Sequence, residues 1–167
     1  MYKRQGYDSA GVATLFDGQL NEVKSEGRVD NLEQNFDLKS LKGNIGIGHV
    51  RWATHGVPNS INAHPHSSDN VSVVHNGIIE NSTILKKYLI NKGHTFKSQT
   101  DTEVIVHLIT ENLKIMELEE AITKTLKQLH GSFALGIIFK EIPDVIVGAR
   151  RGSPLACLLY TSPSPRD

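Results

Sequence analysis

The stretch that decides how this sequence is interpreted is residues 49–81, which read HVRWATHGVPNSINAHPHSSDNVSVVHNGIIEN. It contains five of the eight histidines and the only tryptophan of the chain: His49, Trp52, His55, His64, His66 and His75. An Asn-Gly pair follows its apolar run directly. Polar groups that could bind or react are rarely concentrated in this way without a site, because placing them together costs stability. This stretch therefore predicts a functional site.

The composition of the 167-residue chain is that of a globular domain with a hydrophobic core. The 18 basic and 18 acidic side chains cancel, so no broad field attracts nucleic acid or an anionic membrane. No apolar run approaches the roughly 20 residues that span a bilayer, and the first residues are too polar for a secretory signal. A single cysteine suits a reducing compartment. These features predict a cytoplasmic domain that binds neither nucleic acid nor membrane.

Apolar periodicity and turn residues predict a mixture of strands and helices. Strand candidates are residues 10–15, 19–24, 44–50, 71–75, 133–139 and 144–149, with a hairpin turn at Asp17-Gly18. Helix candidates are residues 28–36, 82–91 behind a Ser82 cap, 104–113 behind a capping box at 100–103, and 118–130. Strands, then adjacent helices, then strands again indicate an α+β fold, with antiparallel sheets and helices packed outside.

Several separated blocks between about Gly6 and Pro154 resemble the class II glutamine amidotransferases. The blocks are GYDSAG at 6–11, RWATHG at 51–56, AHPH at 63–66 and HNGIIEN at 75–81. More narrowly, they resemble the glutaminase domain of the glutamine–fructose-6-phosphate aminotransferases, which form glucosamine 6-phosphate. The resemblance implies an enzyme with the four-layer αββα sandwich of N-terminal-nucleophile hydrolases and without a metal or other cofactor.

Arg51 and Asp101 are the candidates for holding the two charged groups of the substrate glutamine. A guanidinium offers a bidentate fork to a carboxylate, and the resemblance assigns the α-carboxylate to Arg51. Asp101 is the candidate counter-ion for the α-ammonium. Alone, Arg51 would be interpreted as a surface residue at a strand end, and Asp101 as an acid that stabilises the first turn of a helix.

Asn76 and Gly77 are the candidate oxyanion hole. An amide side chain and a backbone N–H, next to each other at a strand end, supply the two donors that a tetrahedral intermediate needs. An Asn-Gly pair by itself indicates only a turn. The surrounding block HNGIIEN favours the catalytic interpretation.

A loop at about residues 51–59 resembles the mobile segment of the family that closes over bound glutamine. It contains Trp52, Thr54 and His55, which we predict to be substrate-binding residues. Trp52 has the alternative of packing beneath the loop. The pair His64 and His66 could suggest zinc, but the chain has no second cysteine and no His-Glu-x-x-His arrangement, so no metal is expected.

In the family, the nucleophile is an N-terminal cysteine whose own α-amine acts as the base. Cys157, the only thiol, cannot offer that amine. We therefore expect a partial domain at residues 6–156, truncated at its N-terminus so that the first strand and helix are missing, and inactive alone. Residues 1–5 and about 157–167 are expected to be foreign, because Gln5 replaces the arginine of the family pattern and the tail has two Ser-Pro pairs.

The resemblance implies that the partners are L-glutamine and, in the full-length protein, fructose 6-phosphate and a C-terminal sugar isomerase domain. It also implies a homo-oligomer. The alternatives are the glutaminase domain of another class II enzyme, such as amidophosphoribosyltransferase, asparagine synthetase or glutamate synthase, or an inert glutamine-binding fragment. The blocks RWATHG and AHPH favour the sugar enzyme.

Overall fold

The computed structural model describes residues 8–37, 41–52, 57 and 59–157. In chain order its elements are β1 (Ser9–Phe16), β2 (Gln19–Glu26), α1 (Val29–Asn35), β3 (Ile45–Arg51), β4 (His66–Ser67), β5 (Val71–Ile79), α2 (Ser82–Asn91), α3 (Thr102–Leu113), α4 (Leu118–Gln128), β6 (Gly131–Phe139) and β7 (Ile142–Arg151). None of the helices in the described part of the chain is long and apolar enough to cross a membrane.

The strands form two antiparallel sheets. The first sheet has the order β2-β1-β3, and the second has the order β4-β5-β6-β7. Strands β1 and β2 form the expected hairpin, in which Phe16 pairs with Gln19 around Asp17 and Gly18. Both turn residues have positive φ angles, 49° and 66°, and Asp and Gly are among the residues that tolerate this conformation.

Side-chain alternation along the strands gives the fold its layers. The sheets face each other through Ala13, Ile47 and Ile138, which share a small buried cluster. The other face of the second sheet packs against α2, α3 and α4 in the larger core, which contains Leu89, Ile105, Ile109, Phe133 and Ile137 among its buried residues. Helix α1 packs on β1 and β2, where its Leu32 is buried. The expected four-layer αββα sandwich is confirmed.

Two helix starts differ from the sequence prediction. Helix α3 begins after Asp101, not after Thr100, and the expected capping box is wrong. The Glu103 carboxylate accepts hydrogen bonds from the backbone N–H groups of Lys97 and Ser98 at 2.8 and 2.7 Å. Helix α2 has Asn81, not Ser82, at its N-cap position. The Asn81 side chain ties α2 to the end of α4, since it bonds the backbone of Gln128 and His130.

Strand β5 is four residues longer than the sequence prediction. The predicted strand ended at residue 75, but β5 runs to Ile79, so Asn76 and Gly77 lie within the strand and not at its end or in a turn. Gly77 pairs with Phe133 of β6 and has a φ of 130°, which favours glycine. Helix α4 is shorter than predicted because its C-cap residue Leu129 is extended, and the two-residue strand β4 has no counterpart in the prediction.

Candidate functional site

A cavity of about 340 Å³ lies where β3, β5 and the start of α3 meet. It is lined by His49, Val50, Arg51, Trp52, His64, His75, Asn76, Gly77, Thr100, Asp101 and Thr102. The structure therefore brings together five of the seven residues that the sequence predicted for the site: Arg51, Trp52, Asn76, Gly77 and Asp101. The other two, Thr54 and His55, lie outside the described residues.

Arg51 is the last residue of β3, and its side chain is buried, with only 4% of the residue exposed. Its Nη1 atom lies 3.6 Å from Oδ1 of Asp8. The backbone adds a second link, since the Asp8 N–H donates to the Arg51 carbonyl at 3.0 Å. A buried guanidinium needs a nearby anion to offset its desolvation, and Asp8 supplies that charge. The alternative of a surface arginine is wrong.

Asp101 makes no side-chain capping bond to its own helix. Its Oδ2 accepts the backbone N–H of Ile79, at the end of β5, at 2.7 Å. Its Oδ1 lies 3.9 Å from Nδ1 of His75. These contacts place the carboxylate at the cavity wall. The position of Asp101 is therefore not explained only by stabilisation of the first turn of α3.

Asn76 and Gly77 form another wall of the same cavity. Oδ1 of Asn76 lies 2.8 Å from Nε2 of His49, which belongs to the other sheet. Trp52 also lines the cavity, and 63% of its surface is exposed. Cys157 is exposed, and it is not among the residues that line this cavity.

A network of buried histidines and threonines reaches the cavity, whose lining includes His64, His75, Thr100 and Thr102. The Thr102 hydroxyl lies 2.8 Å from Nε2 of His64 and 2.9 Å from Nδ1 of His75. The Thr100 hydroxyl lies 2.9 Å from Nε2 of His66. A hydroxyl has a single hydrogen to donate, so one of the two imidazoles bonded to Thr102 must donate to it.

Sequence reasoning missed this network of histidines and threonines, and it missed the partner of Arg51. The histidines stood out by their number, but nothing in the sequence indicated which threonines they contact. Asp8 lies in the GYDSAG block, which signalled the family and gave no sign of an ion pair with Arg51.

Burial lowers the pKa values of the three histidines that line the cavity and of His66, which contacts Thr100. It lowers the pKa of His66 to about 3 and that of His64 well below its ordinary value. The pKa values of His49 and His75 are lowered by the same cause. All four are therefore neutral at pH 7, which leaves Arg51 as the cation of the lining. Within the described ranges, no cluster of three or more His, Cys, Asp or Glu side chains is arranged to hold a metal ion.

His66 gives a testable dependence of stability on pH. Its folded-state pKa of about 3 lies below the unfolded value of about 6.5, so the unfolded chain binds the proton first. Stability is therefore complete above about pH 6.5 and is lost as the pH falls toward 3, by at most about 1.4 kcal/mol per pH unit for one histidine. We expect His66→Gln to reduce this slope between pH 6.5 and 5.5 in urea unfolding experiments.

The exposed His130 offers a matched control, because His130→Gln makes the same substitution at an exposed imidazole, whereas His66 is buried. If His66→Gln and the parent chain lost stability at the same rate between pH 6.5 and 5.5, the neutral, buried state of His66 would be wrong.

The fold and the cavity agree with the result of sequence comparison. A family model described as a glutamine amidotransferase domain matches residues 49–161, which is more than half of the chain. The chain therefore belongs to the glutamine amidotransferase domain family, and the expected family is confirmed. The match extends beyond residue 156, where we expected the domain to end.

Its curated relatives include glutamine–fructose-6-phosphate aminotransferases (isomerizing). The protein from Mesorhizobium japonicum is 56% identical over 153 residues, which are 91% of this chain and 25% of the relative. The protein from Pyrococcus horikoshii is 51% identical over 154 residues, which are 90% of this chain and 26% of the relative. The chain thus spans about a quarter of the length of these relatives. They confirm the narrower family resemblance seen in the sequence.

Two solved structures share the fold. The glutamine phosphoribosylpyrophosphate amidotransferase from B. subtilis, solved with ADP and GMP, is 35% identical with a TM-score of 0.69, and the match covers 81% of this chain and 30% of that one. A glutamine aminotransferase class-II domain protein from Silicibacter pomeroyi is 16% identical with a TM-score of 0.65, and the match covers 88% of this chain and 70% of that one. The second similarity concerns the fold alone.

Proposed function

We propose that the protein to which this chain belongs is a glutamine–fructose-6-phosphate aminotransferase, and that the described domain is its glutaminase, which releases ammonia from L-glutamine. The observation that carries the proposal is the cavity itself, in which a buried arginine, an aspartate and an Asn-Gly pair line one space. The arginine is complementary to the α-carboxylate of glutamine, the aspartate to its α-ammonium, and the Asn-Gly pair to its reacting amide. The relatives that are 56% and 51% identical favour the sugar enzyme.

Arg51 binds the α-carboxylate in this proposal, and Asp101 binds the α-ammonium. Because the neighbouring histidines are neutral at pH 7, the guanidinium is the strongest attraction for an anion in the lining. Asp101 has one oxygen engaged by the Ile79 N–H, which fixes the carboxylate without neutralising it. The substrate is thus oriented by two opposite charges, with Trp52, Thr54 and His55 as further contacts.

The bond that breaks is the C–N bond of the glutamine side-chain amide. A cysteine thiolate adds to the amide carbon, and the carbonyl oxygen becomes an oxyanion, which the Nδ2–H of Asn76 and the backbone N–H of Gly77 stabilise. The α-amine of the cysteine, which accepted the thiol proton, passes it to the amide nitrogen, so the intermediate collapses with loss of ammonia and a thioester remains. Water then hydrolyses the thioester to glutamate and restores the thiol. The resemblance supplies the nucleophile as an N-terminal cysteine. The released ammonia reaches fructose 6-phosphate at a sugar isomerase domain of a homo-oligomeric full-length protein.

The test of this proposal is a fusion protein in which an N-terminal segment that begins with a mature cysteine precedes Gly6. It should hydrolyse glutamine. We expect Arg51→Ala and Asp101→Ala each to raise KM by about 10- to 100-fold, because a charge-assisted contact is worth about 1.5–3 kcal/mol. Melting temperatures check that the variants fold. If Arg51→Ala bound glutamine as well as the parent does, the carboxylate assignment would be wrong.

A further inference from the structure

The contact between His49 and Asn76 joins the two sheets at the cavity. His49 lies on β3 of the first sheet and Asn76 on β5 of the second. Nε2 of His49 is 2.8 Å from Oδ1 of Asn76, a good hydrogen-bond distance. The His49 ring also packs on the His64 ring, with 4.4 Å between the ring centres. The imidazole is therefore held between a neighbouring ring and the amide that it contacts.

An amide side chain can face a site with either of two ends, and only one of them can stabilise an oxyanion. The NH₂ end donates, whereas the carbonyl end accepts and would repel developing negative charge. A donor placed at Oδ1 removes this choice, because it holds the carbonyl end away from the reacting oxygen. The imidazole can be that donor only when its hydrogen is on Nε2.

We propose that His49 is a positioning residue of the glutaminase site, whose Nε2–H holds Oδ1 of Asn76 and thereby turns the Asn76 NH₂ group toward the oxyanion. The proposal rests on the proposed function, since it concerns the same oxyanion hole. The role assigned to His49 is to orient the amide, not to contact the reacting atoms. It acts through Asn76, so its effect belongs to the chemical step and not to substrate binding.

Two substitutions in the fusion protein separate this role from packing. His49→Leu removes the donor, while His49→Gln keeps an N–H donor at a similar distance from the backbone. We expect His49→Leu to lower kcat by about 10-fold or more, up to the 10²–10³-fold associated with a lost oxyanion donor, with KM within about twofold of the parent value. His49→Gln should recover most of kcat. An effect on KM alone, or a Gln variant no better than Leu, overturns the proposal.

A double-mutant cycle with Asn76→Ala tests whether His49 acts through the amide. In the Asn76→Ala background there is no amide to orient, so His49→Leu should cause no further loss of kcat. If the two losses multiply, His49 acts independently of Asn76 and the proposal is wrong. Melting temperatures of all four proteins report any loss of folding, and His49→Gln provides the comparison if the Leu variant is unstable.

The tautomer of His49 can be measured without any activity. Nitrogen NMR of the fusion protein labelled with ¹⁵N-histidine distinguishes a protonated Nε2 from an unprotonated one. We expect Nε2 of His49 to carry the hydrogen at pH 7, and an unprotonated Nε2 overturns the proposal. If the parent fusion released no ammonia while Nε2 was protonated, the proposed function would fail, but the hydrogen bond that orients the amide would stand.

Discussion

Asn76→Asp is expected to reduce the turnover of glutamine by the fusion protein by more than the roughly 10²–10³-fold that follows loss of one oxyanion donor. The Asp side chain has the size of Asn and can still accept the hydrogen bond from His49. Its second oxygen, however, replaces the NH₂ group and places a negative charge against the developing oxyanion. Steady-state kinetics should show the loss in kcat, with a smaller change in KM.

Asn76→Ala is the matched control for this experiment, because it removes the donor without adding a charge. Its loss of kcat should fall within the range for a missing donor. The kcat of Asn76→Asp should be lower still. The melting temperatures of both variants should stay close to that of the parent. An Asp variant that melts like the parent and turns over glutamine within a few-fold of it contradicts the oxyanion role of Asn76.

The α+β class and most elements could be predicted from the sequence because they depend on local periodicity, whereas the four layers were implied by the resemblance to a known family. Alternating apolar residues gave the strands of the hairpin β1–β2, and helical spacing gave α2, α3 and α4 to within a few residues. The site could be anticipated at Arg51 and Asp101 because the surrounding blocks resemble a known family. Their binding roles remain predictions that the experiments above must test.

The features that could not be predicted depend on pairs of residues far apart in sequence. The Thr102 hydroxyl meets His64 and His75, which are 38 and 27 positions away, and no window of local pattern contains such a pair. The capping box was wrong because Glu103 accepts hydrogen bonds from the backbone N–H groups of Lys97 and Ser98, which precede the predicted cap. Predictions from local sequence were therefore wrong where the fold supplied a buried group with other partners.

Gly77 shows most clearly how a local pattern and the fold can disagree. Asn-Gly is typical of a turn, but here the pair lies inside β5. A Cβ atom added to Gly77 would lie 2.0 Å from the Ser132 carbonyl oxygen and 2.8 Å from Cα of Phe133. Both atoms belong to the backbone of β6, which is paired on both sides, with β5 and β7. The strand cannot shift without breaking one of these ladders. The glycine is thus required by its neighbour across the sheet as well as by its own φ of 130°.

We therefore expect Gly77→Ala to destabilise the domain by several kcal/mol, since backbone strain of about 1–3 kcal/mol adds to an overpacking cost of about 1–3 kcal/mol. At about 2–4 °C per kcal/mol for a domain of this size, the melting temperature should fall by roughly 10 °C. Calorimetry or circular dichroism measures this loss directly.

Gly93→Ala is the matched control, because Gly93 has a φ of 91° but nothing within 4 Å of its added Cβ. Gly93→Ala should show the effect of backbone strain alone, so its melting temperature should fall by only a few degrees. If both variants melted at the same temperature, the contact with β6 would not constrain Gly77. The position would then behave as an ordinary glycine with positive φ.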